Sequence, residues 1–301
     1  MNGKLCFGFE ECNQFDEAER AGAIALDHTP NDIWAIHSIA HIKEETQRPR
    51  DGLKLLSDTE SQWQQRASLV THVWWHKALF HFQLGEFEEA ITNFDDVILP
   101  NCKKDPRSFP LTDATSLLMR LQLEPEPIGI DLKDRWREVG NMYQNIVETD
   151  STMFIFDDFH ALLGCLFGNE RESASKLLNS LETFSREAKD EYPGNWNGKN
   201  MRKYGFQLCL GLKEFAESDY EEAFRLLKPI RFDWQQLMSG SRAQTDLLNQ
   251  VLIQSAIKSG NIIGAKKLLK ERMANCHLVG NPEDGTDLLN QRLEAKIQSM
   301  M

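Results

Sequence analysis

His37 and His41 stand four residues apart, Glu44 follows three later, and His72 and His76 repeat the four-residue interval. On a helix, positions i and i+4 share a face, so each pair presents two imidazoles in one direction. Neutral imidazoles with a carboxylate suit zinc or another divalent transition-metal ion, and an open coordination position would let a bound water act as nucleophile. The spacing is not that of a zinc protease: His41 is followed by Ile42, Lys43, Glu44 and Glu45, and no HExxH occurs. His160, preceded by Asp157 and Asp158 in FDDFH, is a third candidate position. Trp75, beside His76, could form part of a recognition wall for a peptide or apolar ligand. A plainer reading stands beside each of these. Groove-facing histidines are commonly held by a neighbouring carboxylate or carbonyl, and Trp74 occupies what the register below makes the core position.

The elements that must position these residues are helices. Apolar residues recur at i, i+3, i+4 and i+7 throughout, as in Leu247, Leu248, Val251 and Leu252, and no sustained period-two alternation is found. Residues 70–100 match a tetratricopeptide repeat, with Trp74 and Ala78 on a first helix, Gly85 at its end, Phe87, Ala90 and Phe94 on a second, and Pro100 behind. Small residues let the two helices approach, and the glycine supplies the reversal.

The pattern recurs with Asn13, Phe15 and Ala18, with Gly52, with Gly168 and Ala174, with Gly211, Tyr220 and Ala223, and with Gly260, Ile262 and Ala265. The predicted fold is therefore all-α, an irregular tetratricopeptide-repeat-like superhelix (solenoid) of helical hairpins. In that register both histidine pairs lie on first helices, which line the concave side. Adjacent first helices pack about 8–10 Å apart, close enough for ligands from both to converge.

Clusters of Pro and Gly at 100–110, 123–130 and 192–199 divide the chain into a front array at 1–104, a middle segment at 105–200 and a back array at 201–301. A net charge of −12 argues against nucleic acid, which requires clustered Lys and Arg. Neither a signal-peptide core nor an apolar run of membrane-spanning length is present, so no membrane insertion is expected. The six cysteines form no CxxC pair, which suits reduced thiols in the cytoplasm. Ser239, Gly240, Ser241 and Arg242 could receive an anion, but an N-cap at Ser241 explains them better. Cys165, five residues after His160, has no feature of an activated thiol.

The stretches DIWAIHSIAHIKEETQR, HVWWHKALFHFQLGEFEEAI, FDDFHALLGCLFGN and the segment from Tyr220 to Arg272 resemble successive signatures of the tetratricopeptide repeat protein 38 family. The resemblance covers nearly the whole chain and implies a divergent solenoid with no assigned reaction. It also implies further helices before the first motif, so the chain resembles an N-terminally shortened member. Val73 stands where the family pattern has Asn, and Gln47-Arg48-Pro49 replaces a Gly-containing turn.

The leading functional expectation is a non-enzymatic scaffold that grips a protein or peptide partner in its concave groove through His37, His41, Glu44, His72, Trp75, His76, Asp157, Asp158 and His160. The alternative is a metal-dependent or small-ligand site, with a hydrolase as one form, built from His37, His41, Glu44, His72 and His76 and holding zinc or another divalent transition metal.

Overall fold

The computed structural model describes residues 2–64, 69–106, 108–126, 128–149, 154–187, 196–238, 240–275 and 288–301. Ser239, Cys276 and residues 192–195, singled out above, lie outside them. The described residues contain helices and no strand. In chain order these are α1 (Asn2–Glu11), α2 (Phe15–His28), α3 (Ile33–Glu45), α4 (Pro49–Asp58), α5 (Glu60–Trp63), α6 (Val70–Gln83) and α7 (Phe87–Asn93). A π-helical stretch, Phe94–Ile98, leads into α8 (Leu99–Lys104), α9 (Ser108–Gln122), α10 (Lys133–Thr149), α11 (Ile155–Phe167), α12 (Arg171–Glu187) and α13 (Trp196–Asn200). A second π-helical stretch, Met201–Gly205, is followed by α14 (Phe206–Ala216), α15 (Tyr220–Leu237), α16 (Arg242–Lys258), α17 (Ile262–Ala274) and α18 (Leu288–Ser299). None is long and apolar enough to cross a membrane.

One turn joins six helix pairs. Asn13, Gln47, Gly85, Asn169, Ser218 and Gly260 all have φ between 58° and 77°. Each follows a helix end, and the amide of the next residue donates back to the carbonyl five positions earlier, as Glu86 N–H does to His81 O at 2.9 Å and Asp219 N–H to Glu214 O at 2.9 Å. This is the Schellman arrangement, which satisfies the last helical carbonyls. The second helix starts two residues after the left-handed residue, and a small buried residue sits five after it: Ala18, Gly52, Ala90, Ala174, Ala223 and Ala265. Gly52 shows why small size matters, since a Cβ there would fall 2.3 Å from the Phe80 ring.

The turn role anticipated for Gly168 belongs instead to Asn169, which is the left-handed residue. Gly168 serves a close approach of α10 and α11: a Cβ on it would come 2.7 Å from Trp136 O and 2.8 Å from Gly140 Cα. Of the interruptions anticipated from Pro and Gly, 123–130 falls between α9 and α10, whereas Pro100 lies inside an unbroken helical run from Phe87 through the π-helical stretch to Lys104, and Pro110 lies in the first turn of α9, where a missing N–H costs nothing.

The chain divides into two compact units, Met1–Pro100 with Arg272–Leu293, and Asn101–Glu271 with Glu294–Met301. The segments 105–200 and 201–301 set apart in the sequence thus fall mostly within one unit. In the first unit α3 is central, with α1, α2, α4 and α6 packed against it. Its sides serve different neighbours. Ile33, Ile36 and Ala40 join Leu56, Trp63, Val73 and Phe80 in one apolar cluster, while Ile39 and Ile42 join Cys6, Phe15, Ala18 and Ala21 in another. In the second unit α11 packs against α9, α10, α12 and α14.

Candidate metal centre

α3 begins at a true cap, because Asp32 Oδ1 accepts hydrogen bonds from the amides of Trp34 at 3.1 Å and Ala35 at 3.3 Å. With its apolar sides given to the two clusters, the remaining side carries His37 and His41. α6 packs against α3 with Val73 and Phe80 in the shared cluster, and that register turns His72 and His76 to the same place. The four imidazoles are buried, and one nitrogen from each lies within 4.8 Å of all the others.

The contacts inside the box are close. His37 Nε2 and His41 Nε2 are 2.9 Å apart. Ring centroids are separated by 4.4 Å for His37 and His41, 4.9 Å for His37 and His72, 4.6 Å for His41 and His76, and 4.7 Å for His72 and His76. A tetrahedral ion with metal–nitrogen bonds of about 2.0–2.1 Å places its ligand atoms about 3.4 Å apart, which lies between the 2.9 Å of the His37–His41 pair and the 4.8 Å that bounds the four.

Electrostatics favour the ligand-competent state. Burial, and then the neighbouring His41 and His72, hold the His37 imidazole well below its ordinary pKa. A neutral imidazole keeps the lone pair that a metal takes. His37 Nδ1 and His41 Nδ1 are buried without a hydrogen-bond partner, a condition native interiors rarely tolerate.

Aromatic rings wall the box. Trp75 is fully buried and stacks on His72, with centroids 5.1 Å apart and planes 13° apart. Trp74, read in the sequence as the core residue with Trp75 on a groove wall, is only partly buried, edge-on to Trp63 at 5.2 Å and beneath Lys77 at 4.7 Å. Trp75 is the more deeply buried of the two, against His72 and His76, while Trp74, about 100° round the helix, packs on the cluster that includes Ile33, Ile36 and Trp63.

The remaining candidates are placed elsewhere. Glu44 does not belong to the convergent group; its Oε1 accepts from Gln83 Nε2 at 2.7 Å. His81 pairs with Glu86 through Nδ1 and Oε2 at 2.8 Å. Asp157, Asp158 and His160 sit on α11 of the second unit. His160 is fully buried, its Nδ1–H donates to Phe156 O at 2.8 Å, and burial above all holds its pKa at about 3. Ser241 is the N-cap of α16, in a reciprocal capping box with Gln244.

His37, His41, His72, Trp75, His76, Asp158 and His160 are all buried, so none offers an open surface to a large partner. Glu10, whose Oε1 lies 3.7 Å from His41 Nδ1, was not among the residues singled out from the sequence. The signal was present: Glu10 stands three residues before the left-handed Asn13, as Glu44 stands three before Gln47. Repeat register pointed to both positions, and tertiary packing brings only the earlier one to the histidines. No protein-family model matches the chain, and no solved structure matches it.

Proposed function

We propose that this protein binds a divalent transition-metal ion, zinc by its donor chemistry, between α3 and α6, in a helical-repeat chain of tetratricopeptide type. The observation that carries this reading is the convergence of four buried imidazole nitrogens from two helices within 4.8 Å. Four protein nitrogens fill a tetrahedral zinc ion, as in sites that stabilise or sequester rather than hydrolyse. The metal therefore ties two helical hairpins together, and its binding free energy adds to that of folding. The six identical turns, each with its small buried residue, support the solenoid and the tetratricopeptide reading. Membership of the tetratricopeptide repeat protein 38 family rests on the motifs quoted above. Cytoplasmic placement is supported by the free thiols of Cys6, Cys12, Cys102, Cys165 and Cys209. A partner-binding scaffold is the second reading, favoured by the recurrent hairpins; its contacts would come from residues other than the buried set.

Cobalt titration tests the metal reading on the full chain. Co2+ bound by four imidazoles gives the visible absorption of a tetrahedral ion, saturating at one equivalent and displaced by Zn2+. The spectrum is expected for the parent and absent for the His37→Ala, His76→Ala variant at equal helix content. A parent spectrum of hydrated Co2+ alone would overturn the reading.

A further inference from the structure

A metal held between α3 and α6 takes no ligand from α1, yet α1 packs against α3 beside the histidines. Glu10 is a carboxylate only 6% exposed, and its Oε2 has no hydrogen-bond partner. Its Oε1 is 3.7 Å from His41 Nδ1, on the side of the ring away from the Nε2 that faces His37. Phe7, three residues earlier and so on the same face of α1, stacks on His37 with centroids 6.2 Å and planes 26° apart, and lies edge-on to His41 at 6.2 Å. Gly3 brings the start of this helix hard against α3, since a Cβ there would come 2.6 Å from Asp32 Oδ2 and 2.9 Å from Ala35 N. One face of α1 thus delivers an aromatic ring and a carboxylate to the histidine box.

A buried carboxylate with an oxygen left unbonded is costly, because burial strips its hydration. A dication in the box removes the difficulty. It supplies the opposite charge, and it fixes His41 with Nε2 on the metal and Nδ1–H free to donate outward, to the carboxylate. Histidine ligands generally donate their second ring N–H to such a group, which orients the ring and raises its basicity.

We infer, on the metal reading above, that Glu10 is a positioning residue for the centre, accepting the Nδ1–H of His41 and balancing the ion's charge, so that metal binding fastens α1 onto α3. Phe7 covers His37 on the same face. The centre then joins three helices, two through ligands and one through the carboxylate.

The experiment compares the full-length parent, Glu10→Gln and, as a control on the exposed side of the same helix, Glu11→Gln. Zn2+ affinity is read by competition with a chromophoric chelator, and amide hydrogen exchange of residues 2–11 is followed with and without Zn2+. Loss of an outer carboxylate partner lowers metal affinity by about 10–100-fold. That loss is expected for Glu10→Gln and not for Glu11→Gln. Zinc is expected to slow exchange in α1 of the parent and of Glu11→Gln but not of Glu10→Gln. Should Glu10→Gln lose helix content, Glu10→Asp, which keeps the charge on a shorter arm, takes its place with an intermediate loss expected. Equal zinc affinity in the parent and Glu10→Gln, or α1 exchange indifferent to zinc in the parent, would overturn the role of Glu10 while leaving the metal reading standing. No zinc on any of the chains would overturn both.

Discussion

Single residues carry most of the chemistry in this chain, and burial decides what each can do. His160 shows this apart from the proposed centre. Burial, and then the charge of Arg120, outweigh the hydrogen bond to Phe156 O and hold its pKa at about 3, against about 6.5 in an unfolded chain. Between those values the unfolded state binds the extra proton, so stability rises with pH and is lost as pH falls from 6.5 towards 3. Lowering pH from 7.5 to 5 crosses about 1.5 units of that window and costs about 2 kcal/mol from this group. Urea unfolding at both pH values is expected to show that much more acid loss in the parent than in His160→Asn; equal losses would mean that the folded protein tolerates the charge.

The paired histidines were legible at this scale because an i, i+4 interval fixes a shared face whatever the rest of the fold does. Glu10 was marked only by its place three residues before Asn13, a place that Glu44 shares before Gln47; that Glu10 and not Glu44 meets His41 depends on α1 crossing α3, a contact between residues more than 30 positions apart. Trp74 and Trp75 were legible as two indoles on different faces, but which face is buried depends on the neighbouring helix.

At the scale of elements, helices were readable from apolar periodicity, and small residues at the second-helix position were readable from the repeat. The turns were less so. Only Gly85 and Gly260 of the six left-handed positions are glycine; Asn13, Gln47, Asn169 and Ser218 adopt the same φ with side chains attached. The Schellman hydrogen bonds and the packing of the helices they join offset that cost.

Ser218 is exposed, which makes it a clean test of the turn. Glycine relieves the left-handed strain and a β-branched residue increases it, so stability is expected to fall in the order Ser218→Gly, parent, Ser218→Val. About 2 kcal/mol should separate the extremes in denaturant unfolding. A Val variant as stable as the Gly variant would mean that the turn gives way without cost. The anticipated glycine turn at Gly168 failed for a physical reason: that glycine is spent on helix contact with Gly140 and Trp136, and Asn169 takes the reversal.

At the scale of the whole molecule, the helical character of the described residues followed from periodicity alone, and the net negative charge from composition. The division into units did not. Pro100 marks a boundary that the sequence placed at 104, but the segment Arg272–Leu293 belongs with the first unit, and no composition shift announces such a return of the chain. The histidine box lies wholly in that first unit, on helices drawn from two consecutive hairpins. An ion there would add a cross-link between hairpins that apolar packing already holds together.

Whether the four histidines hold an ion is decided by the transition-metal content of the purified, untagged full chain, read by elemental analysis. The chain is first offered Zn2+, then dialysed exhaustively without chelator, beside the His37→Ala, His76→Ala variant. Close to one ion per chain is expected in the parent and none in the variant, with both equally helical. A parent that retains no ion would contradict the metal reading, and so would a variant that retains as much as the parent.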